Sequence, residues 1–326
     1  MFKKALLVMV CCVVIAFAIV FNFEFDRNTQ RAQVVEPILR IDTQHNIEPE
    51  LLDDVLIVEE IEKNEKPAPS PAKPIVKDLS LISAEAYTVG NLETGEIYLE
   101  KNPNTIFSIA SISKLFTALA SLHILDKEKK ITITQSMLDA WGDAGNLVLD
   151  EQFTVDELIY PLLLESSNDA AEALAQSHGY DIFIDLMNSF AMEIGMNETS
   201  FKDSSGLSPA NVSNTNNLFT LSRYIYKSEK HLLELMRQKE MTLATTTDHG
   251  FHHFVSIHPF SIYEPFMGGK TGRTVSAKES MISLFSYRSK LNPDISVPIV
   301  IIVLRSDYEE REIDTEKLLE KLGKII

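Results

Sequence analysis

The sequence has almost no cysteine. Its only two, Cys11 and Cys12, are adjacent and lie in an N-terminal apolar run. That excludes a disulfide framework and a cysteine-ligated metal site. Positive charge is also short: 30 Lys and Arg stand against 47 Asp and Glu, for a formal net charge of −17. Such a chain repels phosphate backbones, so nucleic acid is not an expected partner. No G-x-S-x-G occurs, so the nucleophile elbow of serine–histidine–aspartate hydrolases is missing. Apolar residues are not short. They make up 45% of 326 residues, enough for a substantial core without covalent staples.

The N-terminus reads "MFKK" and then "ALLVMVCCVVIAFAIVF", Ala5 to Phe21, without a charge. An apolar run of this length behind a positive flank fits a membrane anchor over residues 1–23, with Lys3 and Lys4 on the cytoplasmic side. The alternative is a cleaved signal peptide, because Ala16 and Ala18 form an A-x-A pattern. The apolar run continues past that pair, which favours the anchor, and Val10 does not suit lipoprotein cleavage at the cysteines. Both readings export the rest of the chain. Residues 24–79 form an acidic linker that ends in "EKPAPSPAKPIVKD", an extended, semi-rigid spacer. Within it, Pro49 to Glu62 fits a short helix or a disordered spacer.

The folded domain is expected over 80–326. "SAEAYTVGNLETGEIYLEKN" reads as two strands joined by a turn at Gly95. Helical patterns follow through the middle, including Asp156 to about Ser177, mostly helical, where Pro161 marks an early turn or a first-turn position. "YDIFIDLMNSFAMEIG" is an amphipathic helix ending at Gly195. The last third turns strand-like in "PFMGGKTG", "SMISLFSYRS" and "SVPIVIIVLRS" before a closing helix in "IDTEKLLEKLGKII". Strands at both ends with helices between them predict an α+β domain: an antiparallel sheet, flanking helices and an all-helical subregion.

Three short motifs carry chemistry. "IFSIASISKLFTALA" places Ser111 and Lys114 three apart on one helix face. A serine needs a base, and a lysine becomes one when an apolar setting lowers its pKa. "LLLESSNDAAEALA" gives Ser166 and Asn168 as S-x-N, able to relay a proton and hold a substrate amide. "PFMGGKTGRT" gives Lys270, Thr271 and Gly272 on a strand that a ligand backbone can approach closely. Each is weak alone, since serine and asparagine are common helix caps. Together, in this order, they form the set of the penicillin-recognising serine enzymes.

From about Ala84 to Gly323 the chain resembles the D-alanyl-D-alanine carboxypeptidases, the low-molecular-mass penicillin-binding proteins. "EIGMNETSFKDSSGLS" and "EREIDTEKLLEKLG" are similar to later segments of that family. The resemblance implies a β-lactamase/transpeptidase-like fold and a serine D-Ala-D-Ala carboxypeptidase. Its catalytic residues would be Ser111, Lys114 and Ser166, with Asn168, Lys270, Thr271, Gly272, Arg273 and Arg311 binding substrate. Arg311 matches the family's arginine for the terminal carboxylate, and the Ser111 and Arg273 N–H groups would hold the oxyanion. It further implies peptidoglycan stem peptides as substrate, β-lactams as covalent inhibitors, and neither metal nor cofactor.

Two departures stand out. Ser167 replaces a usual glycine, and "TVSAKESM" carries Lys278 and Glu279 where the family often has a glycine and an aromatic. The family's second, β-rich domain and C-terminal amphipathic anchor find no counterpart, so the N-terminal segment is expected to supply the tether, placing the domain outside the cytoplasmic membrane. The alternatives are a DD-endopeptidase, a class A β-lactamase-like hydrolase, or a catalytically silent peptidoglycan-binding protein. Against the β-lactamase, "MEIGMNE" has Glu193 without the E-x-x-L-N context. "DHGFHH" offers Asp248, His249, His252 and His253 at spacings that permit a metal, with ordinary histidines as the simpler reading.

Overall fold

A computed structural model describes residues 81–142, 144–288 and 295–326. The expected anchor over 1–23 and linker over 24–79 lie outside the described residues. No helix among the described residues is long and apolar enough to cross a membrane.

The first strands are β1 (Ala86–Asn91), β2 (Ile97–Lys101) and β3 (Phe107–Ser108), with Gly95 at φ +85° in the first hairpin turn. A short 3-10 turn, Ala110–Ser113, runs directly into helix α1 (Lys114–Ile124). Then come β4 (Lys130–Thr132), α2 (Gln135–Leu138), β5 (Gln152–Thr154), α3 (Val155–Leu164), α4 (Asn168–Gln176) and α5 (Tyr180–Glu193). The chain continues through β6 (Val212–Ser213), α6 (Thr215–Ser228), α7 (Lys230–Arg237), β7 (Glu240–Leu243) and β8 (His252–Val255). It closes with β9 (Phe266–Thr274), β10 (Lys278–Arg288), β11 (Ser296–Ser306) and α8 (Arg311–Leu322).

The main sheet has the order β2-β1-β11-β10-β9, with every neighbouring pair antiparallel. The architecture is the α+β class expected from the sequence. β11 is central, and its apolar run is buried on both faces. Val300, Ile302 and Leu304 join the helical core, while Ile299, Ile301 and Val303 join the core under α8. This is the two-residue side-chain period of a strand covered on both sides. Asp314 of α8 ties the two ends of the domain together, accepting from the Ser83 and Ala84 N–H groups at 2.8 Å each.

Helix α1 runs through the middle of the helical subregion. Residues Lys114 to Ser121 are all buried, so its all-round apolar pattern is that of a core helix. The stretch from Asp156 to Ser177 is mostly helical, as expected, but in two helices, interrupted between Leu164 and Asn168. α3 starts at a Thr154–Glu157 capping box, with each residue's side chain bonding the other's backbone N–H. Pro161 therefore falls inside α3, not in its first turn. It withholds one ladder donor near a helix end already held by buried leucines. Ser166 then adopts φ +63°, and Ser167 caps α4 by accepting from Ala170 N–H at 3.1 Å.

Candidate active site

Ser111 sits on the 3-10 turn ahead of α1, so its hydroxyl projects from the start of a helix. One turn on, the Lys114 ammonium is wholly buried and donates to three oxygens. They are Ser111 Oγ at 3.0 Å, Asn168 Oδ1 at 2.7 Å and the Ser205 carbonyl at 2.6 Å. Burial pushes its pKa down to about 7, with Asp203 and Glu172 pulling the other way. A lysine so placed has a large neutral fraction near neutral pH and can accept a serine proton.

A second pair lies opposite. Lys270 on β9 is 1% exposed and donates to Ser166 Oγ at 2.8 Å and to the Thr271 carbonyl at 3.0 Å. Burial, then the nearby Lys114 and Arg311, push its pKa well below the usual lysine value. The left-handed backbone of Ser166 is what turns its hydroxyl out of the helical run toward β9. Such a conformation costs a non-glycine residue about 1–3 kcal/mol and persists where surrounding structure holds it. Here Ser167 N–H bonding Pro161 O at 2.9 Å is one such hold.

β9 is an edge strand of the sheet, and it packs against the turn that carries Ser111. A Cβ on Gly272 would stand 2.8 Å from Ile109 O and 3.2 Å from Ser111 N. Glycine is required there, and its absence of side chain brings the strand backbone beside the Ser111 N–H. Thr271 is buried next to it. The structure therefore brings together Ser111, Lys114, Ser166, Asn168, Lys270, Thr271 and Gly272 in one cleft. Arg273 and Arg311 stand at its end: Arg311 Nη1 lies 3.5 Å from Gly272 O, and the Arg273 guanidinium sits 5.6 Å from the Tyr308 ring.

Several participants carried no sequence motif. Asp203 gathers the loop behind Lys114, accepting from Ser205 N–H at 3.0 Å and from the Gly206 and Ser208 N–H groups. That loop presents the Ser205 carbonyl to the lysine. Glu172 accepts from Tyr180 and Ser204 hydroxyls at 3.2 Å each, and its charge helps push the Tyr180 pKa up to about 12, after burial. The Trp141 carbonyl accepts from Asn168 Nδ2, so the amide is fixed at both ends. The turn residues of "KDSSGLS" were the one available signal: an aspartate followed by a glycine in a tight loop.

The "DHGFHH" residues lie apart from this cleft. His249 and His252 pack on Phe153 and pair with Glu157 at 3.5 Å and Glu151 at 3.0 Å. His253 pairs with Glu240 and Asp248 with Lys130. Among the described residues, no group of three or more His, Cys, Asp or Glu is placed to hold a metal. Glu193 is exposed at the end of α5.

The site thus holds two serine–lysine pairs, Ser111 with Lys114 and Ser166 with Lys270. A family model described as D-alanyl-D-alanine carboxypeptidase (peptidase S11) matches residues 72–296. The chain belongs to this family. It is 33% identical to the D-alanyl-D-alanine endopeptidase of Escherichia coli strain K12 over 145 residues, 43% of this chain and 46% of that protein. It is 30% identical to the D-alanyl-D-alanine carboxypeptidase DacF of Bacillus subtilis strain 168 over 194 residues, 57% of this chain and 50% of that protein. The chain thus spans about half the length of these curated relatives. Among solved structures, the Streptomyces K15 DD-transpeptidase superposes with a TM-score of 0.67 at 25% identity, covering 76% of this chain and 98% of that one. A Mycobacterium tuberculosis H37Rv D-alanyl-D-alanine carboxypeptidase shares the fold, with a TM-score of 0.66 at 22% identity over 75% of this chain and 92% of that one.

Proposed function

We propose that this protein is a penicillin-sensitive serine D-Ala-D-Ala carboxypeptidase acting on peptidoglycan stem peptides. The observation that carries the reading is the convergence of two serine–lysine pairs, Ser111 with Lys114 and Ser166 with Lys270, on one cleft edged by β9. Neutral Lys114 takes the Ser111 proton as Oγ attacks the carbonyl of the penultimate D-Ala. The oxyanion is held by the Ser111 N–H and the Arg273 N–H, a preorganised pair of donors of the kind that dominates acyl transfer. The C–N bond then breaks. Ser166 passes its proton to the departing amine and is reprotonated by the Lys270 ammonium to which it is hydrogen-bonded. Water then attacks the acyl-enzyme, its proton returning through Ser166 to Lys270 while Lys114 gives its proton back to Ser111 Oγ, and the shortened peptide is released. A β-lactam enters the same first step and remains as the acyl group.

The N-terminal apolar segment and its positive flank support attachment to the cytoplasmic membrane with the catalytic domain outside. Protease treatment of spheroplasts, followed by detection of the domain, tests that placement. A second reading, DD-endopeptidase, is supported by the names of relatives at 31% to 33% identity. The decisive test of the enzyme reading is labelling with a fluorescent penicillin and location of the adduct by mass spectrometry. The adduct is expected on the peptide containing Ser111, with D-Ala released from a D-Ala-D-Ala peptide. An adduct elsewhere, or none, would sink it.

Ser166→Ala separates relay from binding. Loss of a proton-transfer group costs roughly 10²-fold or more in rate. We expect kcat on a D-Ala-D-Ala peptide to fall by about that factor with KM changed little. A rise in KM alone, with kcat intact, contradicts the relay role.

A further inference from the structure

Glu279 is a departure from the family pattern, and its surroundings give it a role. It lies on β10 directly across from Arg273 on β9 and is 4% exposed. One carboxylate oxygen is 3.5 Å from Arg273 Nη1. The other is 3.9 Å from Arg311 Nε and accepts from Glu309 N–H at 3.1 Å. Arg311 Nε, itself buried, has no hydrogen-bond partner. The two arginines nearest the end of the cleft therefore face one buried carboxylate of the protein's own. A buried carboxylate is stable only when paired in this way. The neighbouring Lys278 is neutralised by two carboxylates, Glu85 at 3.1 Å and Asp307 at 3.0 Å.

The space beyond is not closed. A cavity of about 640 Å³ opens there, lined by Trp141, Val275 and Tyr308, by Arg273 and Glu279, and by the Lys278–Asp307 ion pair. It adjoins the cleft, since the Trp141 carbonyl holds Asn168. Its volume falls in the range of sites that enclose whole ligands, not a single methyl-bearing residue. A carboxylate brought to this corner meets the arginines and also the like charge of Glu279. A leaving group that continues as an amide meets no such repulsion and has room to extend.

We propose that Glu279 sets leaving-group specificity: by engaging Arg273 and Arg311 it weakens selection for a free terminal carboxylate and admits an amide-linked, extended leaving group, as in a cross-linked peptide. This rests on the D-Ala-D-Ala peptidase reading and extends its substrate from the free acid to an amide-linked leaving group. Glu279 is a positioning residue, acting through the arginines.

The test uses the full chain and three substrates: a peptide ending in D-Ala-D-Ala, its C-terminal amide, and a cross-linked dimer of the same peptide. Wild type is expected to cleave the amide and the dimer at rates comparable to the acid. Glu279→Gln, nearly isosteric, is expected to raise the acid-to-amide ratio of kcat/KM about tenfold or more, chiefly through a lower KM for the acid. That gain should vanish in Glu279→Gln/Arg311→Ala, because nearby residues couple. Should the glutamine variant fail to fold, Glu279→Asp, which withdraws the charge by one methylene, is expected to shift the ratio the same way by a smaller factor. A wild type that cleaves only the acid overturns the proposal, as does an unchanged ratio in the folded variant. Absence of any turnover or penicillin labelling in wild type would instead remove the peptidase reading itself.

Discussion

Replacing Lys114 with methionine is expected to slow penicillin acylation of Ser111 by about 10³-fold or more, within the range for loss of a general base. The side chain of similar length keeps the buried space filled, so the loss reads chemistry and not collapse. In wild type the acylation rate should rise with pH up to about 7, where burial has placed the Lys114 pKa, and level off above it. Below that point each pH unit removes about tenfold of the neutral base. Stopped-flow acylation across pH measures this. A flat profile through neutral pH, or a methionine variant acylated as fast as wild type, would remove Lys114 from the role of base.

The same substitution has a stability signature of known sign. Folded Lys114 titrates near 7, while the unfolded chain has an ordinary lysine at 10.5. Between those values the unfolded state binds more protons, so wild-type stability rises with pH across that window. Below about 7 the folded protein carries the whole burial penalty, on the order of several kcal/mol. Methionine removes the penalty but leaves Asn168 Oδ1 and the Ser205 carbonyl without their donor, at about 1–3 kcal/mol each. These nearly cancel. Melting temperatures of the two proteins should lie close together below neutral pH, and wild type should pull ahead as pH rises toward 10.5.

What the sequence made legible was the part of the site where chemistry dictates residue type. A Ser–Lys mechanism of the kind proposed calls for a hydroxyl, an amine and an amide, and the motifs carry these as Ser111, Lys114 and Asn168. The sheet was legible for a different reason, because β11 is apolar at every position of its middle and only a doubly covered strand reads so. Ser166 was legible as a residue but not as a conformation. The helical propensities on either side are continuous, and only the left-handed backbone at φ +63° interrupts them. Ser205 was illegible because it contributes a backbone carbonyl, which any residue has. Asp203 works one step further back, through the N–H groups of its own loop. Glu279 was visible as a departure from the family. Its meaning was not, because one arginine partner lies across a strand pair and the other on α8.

Gly206→Ala is expected to damage the site as severely as loss of a side chain that does chemistry. Gly206 adopts φ +87°, and a Cβ built on it would stand 2.0 Å from Ala110 O, 2.4 Å from Ala110 C and 2.9 Å from Ser111 N. All three are backbone atoms of the nucleophile turn, so no rotamer change relieves the overlap. Ala110 is itself held at φ +49°, and Gly206 N–H is bonded to Asp203. Either the loop or the Ser111 turn must move by about 1 Å to restore contact distance. A misplacement of that size costs roughly 10² in rate. The left-handed backbone alone adds about 1–2 kcal/mol for alanine, and with the overlap the destabilisation should reach about 3 kcal/mol or more. Gly195 supplies the control. It has φ +90° but nothing within 4 Å of a built Cβ. Gly195→Ala should therefore cost only the conformational term and acylate at the wild-type rate. Urea unfolding and penicillin acylation kinetics on both variants separate strain from displacement. If Gly206→Ala unfolds no more readily than Gly195→Ala, or acylates as fast as wild type, the contact between this loop and the nucleophile turn does not position Ser111.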